Sequence, residues 1–361
     1  MEKIPFNENE LEIVGYEKNR FFGDVPVYNF PMTPKEAYRA LIYDKKPVWM
    51  PIGSETKGFT PSVIPDNIAR GFVFEQNPYP REEYGGKDMF GIEWVFVEQV
   101  GGSMVKPGSP TLEDVNDWED VLQFPDIDSW DWAGSYEANK EFFNTDKFIT
   151  CTLLNGAWFE RLISFMDFEG AAMALLDEDQ EEALHKLLVK TTDLNIAIID
   201  KLFEYFPIDG ICIHDDWGSQ MAPFFSEDAA REFFLPEMKR LVKHVHDKGY
   251  PIELHSCGHN ESRIDIFVEA GFDAWSPMPM NDTAALYDKV GDKIAIGLTS
   301  VTIDLDPETA TDEEIIAAAK DYVDRFTQPG KVALPGRQPI MNNKLFKETV
   351  YEESRKRYLE W

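Results

Sequence analysis

From about residue 146 onward, short apolar runs alternate with longer amphipathic ones. KFITCTLLNG, DGICIHDDWG, PIELHSCG, FDAWSPMP, KIAIGLTS and KVALPGRQ are brief and mostly apolar, the pattern of strands buried on both faces. Between and after them stand AWFERLISFMDF with the long DEDQEEALHKLLVKTTDLNIAIIDKLFEYF, then SEDAAREFFLPEMKRLVKHVHDKG, ESRIDIFVEAG, DTAALYDKVG, TDEEIIAAAKDYVDRF and NNKLFKETVYEESRKRYLEW, each with a helical period. Ser226 before two acids has the chemistry of a helix N-cap and first turn. Strand and helix in steady alternation predict a parallel sheet covered by helices.

The first part of the chain has another texture, rich in Pro, Gly, Trp and Asp. MTPKEAYRALIYDKKPVWMPIG predicts a helix capped by Thr33 before Pro34, then a strand at Val48 to Gly53. Up to Asp146, segments such as GKDMFGIEWVFVEQVGGSMVKPG predict hairpins and loops. Counting Val48 to Gly53, seven strands are legible, with room for one more. Neither G-x-G-x-x-G nor G-x-x-x-x-G-K-[ST] occurs, which weakens a doubly wound nucleotide-binding sheet. The expected fold is therefore α/β, a (β/α)8 TIM barrel with elaborated early loops, residues 1–361 forming one domain and residues 1–46 an N-terminal extension and helix.

Charge and cysteines narrow the classes. With 66 acidic and 35 basic residues, a net charge of −31 disfavours nucleic acid, anionic membranes and polyanionic substrates. Cys151, Cys212 and Cys257 are far apart and set in apolar runs, so no disulfide framework is expected and a reducing compartment suits them. MEKIPFNENELEIV lacks a signal-peptide pattern, and no run of about 18 apolar residues occurs. These point to a cytoplasmic protein, not bound to membranes.

In a barrel, chemistry gathers where strands meet the loops that follow them. Those ends here are LLNGAW with Asn155 and Trp158, HDDWGSQ with His214, Asp215, Asp216 and Trp217, HSCGH, SPMPMND with Met278, and PGRQP with Arg337. His255 and Cys257 form an H-x-C pair on one strand face, with Cα atoms roughly 6–7 Å apart and within reach of one metal ion. A third ligand would come from Glu253, Asp215, Asp216, His214 or His259. The two aspartates also suit general acid work, since a like-charged neighbour holds one of them protonated. Trp158, Trp217 and Met278 are candidates for an apolar substrate wall, and Arg337 for an anionic substrate group.

MTPKEAYRAL, PVWMPIG, DGICIHDDWGSQ, the helix ending VHDKG and the strand PIELHSCG occur in an order that resembles the uroporphyrinogen decarboxylase superfamily, from Met32 to Asn342. The resemblance implies a single-domain (β/α)8 barrel and either porphyrinogen decarboxylation or corrinoid-dependent methyl transfer. The decarboxylase signature RQAGRY should follow the first strand, where this chain has PIGSETKGF. The zinc methyltransferases of the family carry an H-x-C-G strand end, which falls on His255, Cys257 and Gly258. Their thiol-methylating members add a cysteine in a P-G-C-G loop, where this chain reads PGRQ with Arg337. HDDWGSQ with ELHSCG looks most like the O-demethylating members.

What the resemblance implies is transfer of a methyl group from a small methoxylated aromatic to the cobalt of a corrinoid (cobalamin) carried by a partner protein. Zinc would sit on His255 and Cys257. From the strand ends themselves, His214, Asp215, Asp216 and Glu253 are the candidates for acid chemistry or for completing the metal site, with Asp215 or Asp216 as general acid if no metal is held, and Asn155, Trp158, Trp217, Met278 and Arg337 are the candidates for substrate contact. A homodimer is compatible with this reading. Alternatives are a methylcobalamin-to-thiol methyltransferase of the coenzyme M type, a lyase of the uroporphyrinogen decarboxylase kind acting on a carboxylate through Arg337, and a non-catalytic binding barrel.

Overall fold

The structure, a computed structural model, describes residues 4–19, 23–98 and 101–361. Contacts divide the chain into two compact units, one of Met1–Lys57, Asp146–Phe148 and Asp273–Trp361, the other of Gly58–Thr145 and Ile149–Phe272.

In the first unit, Thr33 caps the helix Pro34–Ile42 through a reciprocal bond with Glu36, as the T-P-K-E spacing predicts. The extension also holds an antiparallel hairpin, Ile13–Asn19 with Gly23–Tyr28, which the sequence pattern did not announce. Val14 and Tyr16 stay exposed there, so the alternation does not read as a buried face. The strand expected at Val48–Gly53 does not form; the ladder strand is Thr56–Phe59. Pro47 and Pro51 remove ladder donors, and the backbone N–H groups of Met50, Ile52, Gly53 and Ser54 go to side chains. Met50 N donates to Ser354 Oγ at 2.9 Å and Ile52 N to Glu55 at 3.0 Å. Strands Ala274–Pro277, Ala295–Gly297 and Ala333–Leu334 pair in parallel in that order. Helices Thr283–Val290, Asp312–Phe326 and Lys344–Tyr358 follow them in turn. The buried Trp49, Tyr287, Tyr322, Phe326, Phe346 and Tyr351 form much of this unit's core.

The second unit repeats the same pattern. Strands Phe148–Leu153, Gly210–His214 and Ile252–Ser256 pair in parallel, where the apolar runs predict them. The helical segment Phe159–Ala174, kinked at Asp167, and the helix Glu181–Tyr205 separate the first two strands, and a helix from Glu227 to Asp247 with one π turn separates the second from the third. The early loops carry a small antiparallel sheet in which Glu93–Val97 pairs with Gly102–Val105. Gln99 and Val100, within the predicted hairpin, lie outside the described residues. Arg161 is buried and pairs with both Asp66 and Asp88, which fastens the helix Phe159–Ala174 to those loops. Burying three charges is tolerable only because each finds a partner.

One register matters for function. Parallel pairing sets Cys212 beside Glu253, Ile213 beside Leu254, and His214 beside His255. Two imidazoles therefore finish neighbouring strands at the same level, at the C-terminal ends where barrel chemistry collects.

Candidate metal centre

Residues two apart on a strand share a face, so His214 and Asp216 project to one side and Asp215 to the other. The same rule brings His255 and Cys257 together from the next strand. The result is a group of four, His214, Asp216, His255 and Cys257, half-buried, whose ligand atoms all lie within 4.8 Å of one another. His255 Nε2 stands 3.3 Å from Cys257 Sγ, His214 Nε2 stands 3.7 Å from Asp216 Oδ1, and the two imidazole centroids are 4.8 Å apart. Donor atoms on a tetrahedral zinc, with bonds of about 2.0–2.3 Å, stand roughly 3.3–3.8 Å apart, so this set suits one divalent ion with slight contraction.

A second set, Glu181, His185 and Glu232, has comparable spacing but exposed glutamates, and water competes there for any ion.

Two residues absent from the sequence reading complete the surroundings. Glu160, in the first turn of the helix Phe159–Ala174, accepts from His214 Nδ1 at 2.9 Å and also pairs with Arg70. Arg70 reaches Asp216 Oδ2 at 3.6 Å and lies over the Trp94 ring. Cys257 N donates to Asp216 Oδ1 at 2.6 Å, fixing that carboxylate from a second direction. Burial works against ionising His214, yet the Glu160 and Asp216 carboxylates outweigh it and raise its pKa to about 10. Glu160 is itself buried, but Arg70 and His214 hold its pKa below the usual carboxylate range. Burial pushes the Cys257 thiol up, and only the imidazole of His214 opposes that. A signal for Glu160 and Arg70 exists in hindsight: GAWFERLISF and NIARGFVF each embed a charge in an apolar run, where charges survive only when paired.

Asp215 has a different task from the one expected. It is wholly buried and accepts from the backbone N–H groups of Trp158, Phe159 and Glu160 at 3.3, 3.2 and 3.2 Å and from Trp217 Nε1 at 2.5 Å. It caps the helix Phe159–Ala174 from outside that helix's own chain segment and so sets where Glu160 stands. Burial and the nearby Glu160 carboxylate push its pKa up to about 7 against the pull of these donors. With every oxygen engaged, Asp215 positions other groups and cannot serve as a proton donor to substrate, which corrects the sequence expectation.

Trp158 and Trp217 are corrected as well. Both are fully buried, with their indole N–H groups bound to Thr192 and Asp215, and Trp217 packs among Phe225, Phe234 and Phe267. They pack behind the site and do not offer a face to a ligand. Glu253 lies two residues earlier than His255, buried beside Cys212, and stands outside the group of four. His259 also stands outside it and faces Met221 O and Glu261. Met278, partly buried, and Arg337, exposed, belong to the other compact unit.

Gly258 closes the H-x-C-G run with φ +99°, and a Cβ built on it would stand 2.1 Å from the carbonyl oxygen of Gly218. Backbone therefore passes against backbone where the two site loops meet, in a conformation that favours glycine. Gly258→Ala should cost about 3 kcal/mol from strain and overlap combined. Denaturant unfolding would read that loss, and an unchanged midpoint would show that the loops are not so tightly joined.

No helix among the described residues is long and apolar enough to cross a membrane. Residues 88–336 match the family model described as uroporphyrinogen decarboxylase. No curated protein matches the chain. Among solved structures, the chain resembles a methyltransferase from Methanosarcina mazei at 16% identity and a TM-score of 0.57, with 90% of this chain and 98% of that one covered. A chitinase-like agglutinin, RobpsCRA from Robinia pseudoacacia, aligns at 8% identity and a TM-score of 0.32 over 64% of this chain and 88% of its own, too loosely to bear on any argument. At such identities the first likeness speaks of the fold alone, and it agrees with the barrel class that strand and helix alternation predicts. The family match covers well over half of the sequence, and it runs through the strand ends that carry the four converging side chains: this chain belongs to the uroporphyrinogen decarboxylase family.

Proposed function

We propose that this protein is an enzyme of the methyltransferase branch of its family, moving a methyl group from a methoxylated aromatic to the cobalt of a corrinoid held by a partner protein. The observation that carries the reading is the composition of the group of four: two imidazoles, one carboxylate and one cysteine sulfur. Cys151 and Cys212 stand within their strands, before the C-terminal ends where the four groups converge, and neither belongs to the set. A centre with a single thiolate is harder and more Lewis-acidic than a thiolate-rich one, which favours activating an ether oxygen over activating a thiol. The fold likeness to a solved methyltransferase is compatible with the same branch.

In the transfer, the methyl C–O bond breaks as a C–Co bond forms. The partner's cobalt, as the methyl acceptor, would supply the electron pair of the new bond, and the departing oxygen would keep the C–O pair and take a proton from solvent. A divalent ion on these four side chains would supply Lewis-acid polarisation of the leaving oxygen. The chain's own part is to hold the ligands in place, to keep Asp216 oriented through Arg70 and the Cys257 N–H, and to bind the ring. Asn155 is our candidate for that last task. It ends the strand run at φ +63°, it is fully buried, and neither its amide nitrogen nor its amide oxygen has a hydrogen-bond partner. An orphaned buried amide is costly unless a ligand or water meets it.

Asn155→Leu should cost only about 1–2 kcal/mol, the strain of leucine at φ +63°, because no internal bond is lost, while raising KM for the donor about tenfold, the worth of roughly one hydrogen bond. Thermal melting beside steady-state kinetics tests this, and a large fall in melting temperature would mean the amide has a structural partner instead. The function itself is tested by incubating the metal-loaded protein with cob(I)alamin and a panel of methoxylated aromatics and following methylcobalamin by absorbance. Methylation of an added thiol from methylcobalamin, with no activity on any aromatic ether, would replace the O-demethylase reading with the thiol-acceptor one. Carbon dioxide release from a carboxylate substrate would point to a lyase.

A further inference from the structure

We propose that Glu160 and Arg70 are positioning residues for the metal centre and that the order of contacts Arg70, Glu160, His214 sets the centre's affinity for its ion. The inference rests on the metal reading given above and extends it to residues that do not themselves ligate.

Each imidazole has two nitrogens, and only one can face an ion. Glu160 Oε2 at 2.9 Å from His214 Nδ1 takes the proton on that side, which turns Nε2 toward Asp216. A carboxylate behind a ligating histidine fixes both tautomer and ring orientation and strengthens the ligand. Glu160 is itself held in place from two sides. Its backbone N–H is one of the three that Asp215 caps, and its side chain pairs with Arg70. Arg70 then reaches past Glu160 to Asp216 Oδ2 at 3.6 Å, so one guanidinium orients a ligand and the residue behind another ligand. Arg70 and Glu160 have side-chain exposures of 15% and 8%, which leaves little water to take over either role.

The charges make the role testable by sign. A guanidinium beside a ligand oxygen repels a dication, so if Arg70 were only a nearby charge, removing it would tighten metal binding. If Arg70 positions Glu160 and Asp216, removing it loosens binding despite the lost repulsion. Glu160→Ala should weaken zinc binding about 100-fold and Glu160→Gln about 10-fold, since glutamine keeps an acceptor but loses the charge. Arg70→Gln should weaken it about 10-fold, and Arg70→Lys should restore part of that loss.

The experiment is zinc(II) titration of the full-length apoprotein against a chromophoric chelator for wild type, His255→Ala and these four variants, with circular dichroism to check folding. Cobalt(II) loading adds a readout that loss of structure alone would not mimic, because the ligand-field bands of folded Glu160→Gln should shift as His214 reorients. Wild-type and His255→Ala proteins that bind equally little zinc would overturn the metal reading itself. Stoichiometric binding by wild type, lost in His255→Ala but unchanged or tightened in Arg70→Gln and unchanged in Glu160→Gln, would overturn this inference alone.

Discussion

His255→Ala should strip the protein of stoichiometric metal and lower methyl transfer by about a thousandfold, with the fold intact. The size follows from the proposed role of the centre: Lewis-acid stabilisation of a departing oxygen would be worth several kcal/mol, and about 4 kcal/mol is a factor of a thousand. His255 is one of four converging ligands and stands 3.3 Å from Cys257 Sγ, so its loss removes a nitrogen donor and leaves the thiol without its imidazole neighbour. Cys257→Ser should behave alike, because a hydroxyl is a far weaker ligand than a thiolate for this type of ion. Elemental analysis and single-turnover methyl transfer on the same samples check both. Retained activity in a metal-free His255→Ala protein would move the chemistry off the centre.

The second large effect falls on stability. Asp215→Ala should cost about 3–5 kcal/mol, because it leaves the N–H groups of Trp158, Phe159 and Glu160 and the Trp217 indole buried without their acceptor. A carboxylate at that position also faces the positive end of the helix Phe159–Ala174, an interaction the alanine forfeits. Asp215→Asn keeps the shape but brings an NH2 group against N–H donors, and about 2 kcal/mol should be lost. Urea unfolding measures both. Metal affinity should fall in parallel, since the cap fixes Glu160 and through it His214. A variant with native stability would mean that water replaces the carboxylate without penalty.

The adjacent aspartates illustrate what a sequence discloses and what it withholds. HDDWG announces two acids at a strand end, and alternation puts them on opposite faces, but which face holds the site depends on the register with Ile252–Ser256. Asp216 joined the ligands and Asp215 went to a helix end. The H-x-C pair was legible because strand spacing is local, and the barrel class because strand and helix periods repeat from about residue 146 to the end of the sequence. Val48–Gly53 misled for a local reason as well, its apolar character being used for packing while its prolines forbid a ladder. Glu160 and Arg70 were hidden because their partners come from residues 54 to 146 positions away, a distance that no spacing rule spans.

The tryptophans teach a similar point about burial. Trp158 and Trp217 flank the strand ends and look like a substrate wall, yet each indole N–H is taken by a buried partner, which ties the ring into the packed layer. Asn155 escapes this because neither of its amide atoms is claimed.

X-ray absorption at the zinc edge on the metal-loaded protein tests the central claim most directly. One sulfur scatterer at about 2.3 Å, with nitrogen and oxygen scatterers near 2.0 Å and imidazole features that diminish in His255→Ala, is the predicted result. A spectrum without sulfur, or one unchanged by substituting either His255 or Cys257, would place the ion elsewhere and contradict the account.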